Sequence, residues 1–294
     1  MKKKALIYLS LIYTFCGYSQ SIIVIDSIQK SPIAFANIKF HEKDGTFTNE
    51  NGLFNLDSTL TDSVFISHIS YKSKKIKILN IKDTIILSPN IIELNEIKIS
   101  KGKETIKKID LQKKSKNFGS WPITSKSEIL TLIKPSKDNQ DAIIKKIKYQ
   151  FVKRKYNEFE KNYKTAIRAN IYSSVSDKLN KKLYSSEVYI IDAYKKENLE
   201  IELFNETIIL TKTGLFFSIE IIGDIDTKGN ISKINSSIRP TLNDVSNVEY
   251  SNKTFIKYTF DSKNVLTPLN EIFYDITKTK IERNLSIGLE LTKY

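Results

Sequence analysis

Asp44-Gly45-Thr46-Phe47-Thr48-Asn49-Glu50-Asn51-Gly52-Leu53-Phe54-Asn55-Leu56 is the stretch whose reading decides the fold. It holds two turn signals, Asp44-Gly45 and Asn51-Gly52. Each pair supplies the positive φ that a tight hairpin turn requires. Phe54 and Leu56 are two residues apart, which places them on one face of a strand. The stretch reads as a β-hairpin unit of a small sandwich.

The flanking sequence carries the same pattern outward. Ile22 to Ile25 is an apolar run ending at Asp26. Ser31-Pro32 marks a turn or a strand entry, because proline fixes φ and cannot donate to a ladder. Ala36, Ile38 and Phe40 alternate with Asn37 and Lys39, as a half-buried strand does. Beyond the hairpin come Val64-Phe65-Ile66, Ser67-His68-Ile69-Ser70-Tyr71, Ile76 and Ile78, and Ile85-Ile86-Leu87 before Pro89. Short strands at this spacing, without a helical period, predict an antiparallel sandwich.

The order of these pieces resembles the carboxypeptidase regulatory-like domain, a transthyretin-type sandwich of seven strands. The resemblance rests on Pro32 to Phe40, Gly45-Thr46, Asn51-Gly52-Leu53-Phe54 and Ser67 to Tyr71, with Leu94-Asn95-Glu96-Ile97 matching the family's exit strand. A glycine expected in the first strand is absent, and Ser70 stands where a glycine usually precedes the tyrosine. Both departures concern local backbone. The resemblance covers residues 20–99 and implies a fold, not a reaction. In exported proteins of Gram-negative bacteria such a domain is an accessory module, sometimes ahead of a TonB-dependent outer-membrane receptor. This chain is too short to carry that barrel.

Residues 100–120 are lysine-rich and read as a solvated linker, with Ile106 and Ile109 at helical spacing for one short helix. Trp121-Pro122 opens a second domain, residues 121–294, which again reads as strand. Ile147, Tyr149 and Phe151 alternate with Lys148 and Gln150; Ile167, Ala169 and Ile171 alternate with Arg168 and Asn170. Val188 to Ile191, Ile201 to Phe204, Ile208 to Leu210 and Phe255 to Phe260 are further short runs. Gly214-Leu215-Phe216-Phe217-Ser218-Ile219-Glu220-Ile221-Ile222-Gly223 is bracketed by glycines and apolar on both faces, as a central strand between packed layers is. Leu285 to Leu291 is expected at a sheet edge. Roughly eight strands fit a jelly-roll-like sandwich. The Gly-x-Phe-Phe strand with its following Glu220 is similar to the C-terminal half of exported proteins that carry the regulatory-like domain and have no assigned activity. The fold class expected is therefore all-β, a transthyretin-like sandwich followed by a jelly-roll-like one.

The 294 residues suffice for two domains of ~100–200 residues. The net charge of +14 comes almost wholly from lysine, since the arginines are Arg154, Arg168, Arg239 and Arg283. Nucleic-acid readers favour arginine for bidentate contacts, so no nucleic-acid partner is expected. A salt-sensitive attraction to anionic lipid or polysaccharide fits the charge better.

Lys2-Lys3-Lys4, the apolar run Ala5 to Phe15, and Gly17 and Ser19 before Gln20 compose a secretory signal peptide over residues 1–19. The run is too short for a membrane span, which needs ~20 apolar residues. Cys16 invites a lipoprotein reading, but Phe15 stands where such signals carry a small residue. Cleavage before Gln20 removes the chain's one cysteine and with it any thiolate chemistry. No later segment is apolar enough to span a membrane as a helix; peripheral association with the outer membrane is the membrane contact this export reading allows.

Few residues suggest a reaction centre. His41 and His68 have no ligand-spaced partners, so the zinc set of the peptidase is missing. Asp224-Ile225-Asp226-Thr227-Lys228-Gly229 is similar to a calcium loop, but Lys228 stands at a ligand position, and a hairpin turn is the better reading. No Gly-x-Ser-x-Gly elbow and no glycine-rich phosphate loop occurs. The 33 acidic residues leave a carboxylate pair open, since the fold alone brings such pairs together. Tyr172, Tyr184, Tyr189 and Tyr194 would serve a sugar-binding face if they lay exposed together. No catalytic residue, metal ligand or cofactor is assigned. The expectation is a non-enzymatic structural or interaction protein of the cell envelope, with an envelope protein or a glycan as its partner. Carbohydrate binding by the second sandwich is the alternative.

Overall fold

The computed structural model describes residues 20–56, 62–90, 105–110, 119–120, 123–124, 126–152, 164–192, 197–203, 206–226, 229–231, 238–243, 250–277 and 282–293. Residues 1–19, expected to be a signal peptide, and Leu94-Asn95-Glu96-Ile97, Trp121-Pro122, Phe204 and Tyr194 lie outside them. The fold is all-β and divides into two compact units, one ending at Asn90 and one holding the remainder to Tyr294.

Among the described residues, seven strands build the N-terminal unit: β1 (Gln20–Asp26), β2 (Asn37–Lys39), β3 (Gly45–Phe47), β4 (Leu53–Leu56), β5 (Ser63–His68), β6 (Tyr71–Lys77) and β7 (Thr84–Leu87). They form a three-stranded sheet ordered β4-β1-β7 and a four-stranded sheet ordered β3-β2-β5-β6. β1 and β7 run parallel; the other pairs are antiparallel. Alternate residues point inward, so Ile22, Val24, Ile38, Phe54, Leu56, Val64, Ile66, Ile85 and Leu87 fill the core while Asn55 and Phe65 face out.

The two glycine pairs differ in their use. β3 pairs with β2 and β4 with β1, so the Asn51-Gly52 turn carries the chain from one sheet to the other. It is a layer crossing rather than the hairpin expected. Asn49 organises it: its Oδ1 accepts from the N–H groups of Asn51 (3.0 Å) and Leu53 (2.9 Å). Gly52 sits at φ +70°, and a Cβ there would lie 2.8 Å from the Val24 carbonyl oxygen. Gly45 instead lies in β3 opposite Lys39, and residues 40–44 make the β2–β3 connection. A five-residue loop needs no tight two-residue turn, so Asp44-Gly45 is not one.

The C-terminal unit contains β8 (Thr105–Asp110), β9 (Gly119–Ser120), β10 (Ser127–Pro135), β11 (Ala142–Phe151), β12 (Lys164–Val175), β13 (Lys178–Ile191), β14 (Glu197–Glu202), β15 (Ile209–Leu210), β16 (Leu215–Ile225), β17 (Thr241–Asn243), β18 (Tyr250–Tyr258), β19 (Thr267–Pro268), β20 (Asn284–Leu285) and β21 (Ile287–Lys293). One helix, α1 (Leu269–Thr277), brings Leu269 and Phe273 to the core. A six-stranded layer runs β13-β12-β16-β10-β18-β19, and a five-stranded layer runs β14-β11-β21-β8 with β15 beside β11. A small sheet, β20-β17-β9, completes the unit. The chain alternates between the two main layers at β10–β11, β11–β12, β13–β14 and β15–β16. Ile129, Ile133, Ile167, Ile171, Phe217, Ile219 and Ile221 of the first layer meet Ile144, Ile147, Tyr149, Phe151, Leu289 and Leu291 of the second. The Tyr149 phenol donates across the core to the Ser218 carbonyl (3.2 Å).

The lysine-rich stretch departs from the linker and helix expectations. Thr105–Asp110 is strand β8, paired with β21 from Thr105 opposite Lys293 to Asp110 opposite Gly288. The second unit therefore begins before Trp121. β21 is not an edge, because β8 covers one side and β11 the other. Lysine on an edge strand deters further pairing, and this use of charge makes β8 look like a linker. Lys108, Glu290, Lys146 and Glu202 stand in register across this layer, an alternating row of half-buried and exposed charge.

Candidate functional site

The six-stranded layer carries a second charged row, two carboxylates flanked by two cations, and this one is dry. Arg168 on β12 lies opposite Glu220 on β16, Glu220 opposite Glu128 on β10, and Glu128 opposite Lys257 on β18. Strand alternation puts these side chains on the face opposite the sandwich core, since Ile129, Ile167, Ile219 and Ile221 face inward. Glu128 and Glu220 are each 1% exposed, Arg168 4% and Lys257 6%. Leu130, Leu132, Tyr172, Phe216 and Phe255 form an apolar cluster on the same face, packed by Leu179 and Leu266.

Both carboxylates are supplied with donors. Glu128 accepts from Lys257 Nζ (2.8 Å), Asn170 Nδ2 (2.9 Å), the Tyr172 hydroxyl (2.9 and 3.1 Å to its two oxygens) and the Ser218 hydroxyl. Glu220 accepts from Arg168 Nε (3.1 Å) and from the same Asn170 amide (3.2 Å). Ser185 donates to Asn170 Oδ1 (2.6 Å), which fixes the amide's orientation. Lys182 and Lys257 place their ammonium groups 5.3 and 5.2 Å from the Tyr172 ring centre. Buried carboxylates with this many donors and cationic neighbours are stable as anions.

The titration of the cluster follows. Burial opposes ionisation of Glu128, but Lys257 and Lys182 with the donated hydrogen bonds outweigh it, and its pKa falls to about 2. Glu220 is lowered too: burial opposes ionisation, and Arg168 and Lys182 overcome it. Lost hydration lowers Lys182, against the pull of Glu220 and Glu128. Burial beside Glu128 raises Tyr172 well above its ordinary value. A general acid needs a pKa near its working pH, and a glycosidase acid carboxyl has it raised. Glu128 and Glu220 are pushed the other way and are shielded from water. The arrangement is chemically an ionic lock joining four strands.

The residues singled out in the sequence are dispersed. His41 is exposed; His68 Nδ1 accepts from the Ser70 N–H (3.2 Å), and its ring meets Tyr71 edge-on at 5.3 Å. Asp224 is buried and accepts from the Thr165 hydroxyl (2.7 Å). Asp226 organises a turn: its Oδ1 accepts from Asn230 N–H (2.9 Å), Gly229 takes φ +79°, and Ile225 bridges Ile231. No group of three His, Cys, Asp or Glu side chains that could hold a metal occurs among the described residues. Tyr172 lies in the ionic face, whereas Tyr184 and Tyr189 pack against the sandwich core, so these three make no common platform.

Sequence reading did not single out the ionic row. Its signal was an isolated charge inside otherwise apolar strands: Glu128 in Ser-Glu-Ile-Leu, Arg168 in Ile-Arg-Ala and Glu220 in Ile-Glu-Ile.

No protein-family model matches the chain, and no curated protein matches it. Among solved structures, one of the Gt strain of infectious bursal disease virus aligns at a TM-score of 0.25 and 9% identity, covering 89% of this chain and 55% of that one. The VP2 subviral particle of the same virus aligns at 0.18 and 8%, covering 93% and 60%. The chain spans less than two thirds of either, and similarity at this level transfers no function.

Proposed function

We propose that this protein is a non-enzymatic structural or interaction protein of the cell envelope, exported by its N-terminal segment and built on a module resembling the carboxypeptidase regulatory-like domain. The observation that carries the reading is the buried ionic row. Four buried charges of the second unit are tied into two ion pairs, with Glu128 held at about 2, so they fix the arrangement of a sheet rather than exchange protons with a substrate. No described helix is long and apolar enough to cross a membrane, and an exported protein associated peripherally with the outer membrane is consistent with that. The sugar-binding alternative draws no support from the tyrosines, which point to different faces.

Two measurements on the native host test this. Mass spectrometry of the envelope fraction should find the mature N-terminus at Gln20 and no cytoplasmic pool. Cross-linking in intact cells should join the protein reproducibly to an envelope protein. A cytoplasmic, uncleaved chain contradicts the reading, and so does retention on a neutral glycan array without any cross-linked protein.

A further inference from the structure

We infer that Asn51 is a self-modification site, whose loss of ammonia unlatches the crossing between the two sheets of the N-terminal unit. Asn51-Gly52 is the chain's one Asn-Gly pair. In such a pair the glycine's backbone nitrogen can attack the asparagine's side-chain amide carbon, because glycine has no side chain to obstruct the approach. The new N–C bond closes a succinimide ring, the amide C–N bond breaks, and its nitrogen leaves as ammonia. Solvent water then opens the ring at either carbonyl, which leaves aspartate or isoaspartate at position 51.

The structure presents the electrophile and restrains the nucleophile. Asn51 is exposed, and its side-chain amide has no hydrogen-bond partner among the described residues, so water reaches it. Gly52 is buried and held on both sides: its N–H donates to the Asn49 carbonyl (3.0 Å) and its carbonyl accepts from the Val24 N–H (2.9 Å). Asn49 Oδ1 holds the neighbouring N–H groups of Asn51 and Leu53. Neither Glu50 nor Asn51 takes a positive φ, so residues 49–52 form a type I turn. That turn favours asparagine at its first position and glycine at its fourth, which accounts for Asn49 and Gly52. It does not account for Asn51, whose side chain ties nothing. Ring closure requires the Asn51 Cα–C bond to rotate and the Gly52 N–H to leave Asn49, so reaction waits until the crossing opens locally.

The product does not close again. Isoaspartate routes the backbone through its side-chain carbons and so lengthens the chain just before Gly52. Gly52 has no slack to absorb the change: a Cβ on it would already lie 2.8 Å from the Val24 carbonyl oxygen and 3.0 Å from Pro32 Cβ. Displacing it breaks the bond from Val24, a core residue of β1, and loosens β4 from β1 beside the turn. Ammonia is lost, so the step is one-way and modified chains accumulate with the time the crossing spends open. The inference does not depend on the envelope role proposed above.

Incubation of the purified protein at mildly alkaline pH, folded and in urea, tests the assignment by peptide mass spectrometry with an isoaspartyl methyltransferase assay. In urea, position 51 should convert before any other asparagine. The folded protein should convert there at least roughly ten-fold more slowly, as gating by local opening requires. Asn49→Ala removes the acceptor that organises the turn and should speed conversion of the folded protein several-fold, whereas Asn49→Asp keeps an acceptor oxygen and should not. Protein enriched in isoaspartate at position 51 should unfold at a lower urea concentration than the parent. The comparison of folded with unfolded parent needs no variant, so it stands even where Asn49→Ala does not fold. The proposal is overturned if folded and unfolded parent convert at equal rates, if other asparagines convert in urea while position 51 does not, if folded Asn49→Ala converts like the parent, or if isoaspartate at position 51 leaves the urea midpoint unchanged.

Discussion

Two residues carry the most consequence for their size. Gly52 combines a φ of +70° with a backbone approach that leaves no space for a Cβ. Gly52→Ala should therefore destabilise the N-terminal unit by roughly 2–3 kcal/mol, more than an ordinary loop substitution. Urea denaturation of the two proteins measures this, and an equal midpoint would show that the crossing tolerates a side chain. Glu128 sets a pH dependence. Its carboxyl titrates near 4.5 in the unfolded chain and at about 2 in the fold. The unfolded state binds more protons between those values, so stability rises with pH through that window. The stabilisation is complete above about 4.5 and is lost as pH falls toward 2, on the order of 3 kcal/mol in all. Glu220, also lowered, acts in the same direction. Melting curves from pH 6 to pH 2 should show a fall that Glu128→Gln flattens.

Elements show what the sequence made legible and what it did not. Period-two alternation with turn residues located many strands of both units, because burial of one face imposes it directly: Ile38, Phe54, Ile66 and Ile147 are buried where alternation places them. Strand β10, buried on both faces, carries no such period and was missed. Partner choice was less visible. The Asn51-Gly52 turn reads the same whether its strands pair or part, and here they part into different sheets. β8 was hidden because its lysines resemble a solvated linker, although Ile106 to Lys108 pair with β21 residue by residue. The ionic row was hidden for a related reason. A charge in a strand reads as an outward residue, and only the register of four strands distant in sequence reveals its partners. Replacing residues 105–110 with a Gly/Ser segment of equal length should expose one side of β21. Hydrogen exchange of Ile287–Lys293 should then quicken at least ten-fold; an unchanged rate would restore the linker reading.

At the scale of the whole molecule, two sandwiches close their cores in different ways. The N-terminal unit closes on an apolar cluster beside which Thr48 is buried, its hydroxyl accepting from the Ala36 N–H and donating to the Ile33 carbonyl. The second adds, on the face of its six-stranded layer opposite the core, Arg168, Glu220, Glu128 and Lys257, all but removed from water. Pairs of this kind contribute less to net stability than to choosing one arrangement, so replacing both partners by apolar groups is tolerated while removing one is not. That asymmetry is the most direct test of an ionic lock. Native-state hydrogen exchange on β16 should be measured for Glu128→Gln, Lys257→Met and the double variant. Each single change should lower local stability by roughly 3–5 kcal/mol, and the double variant should recover at least ~2 kcal/mol of their sum. Additive losses, with no coupling between Glu128 and Lys257, would contradict the central claim that these charges lock the sheet.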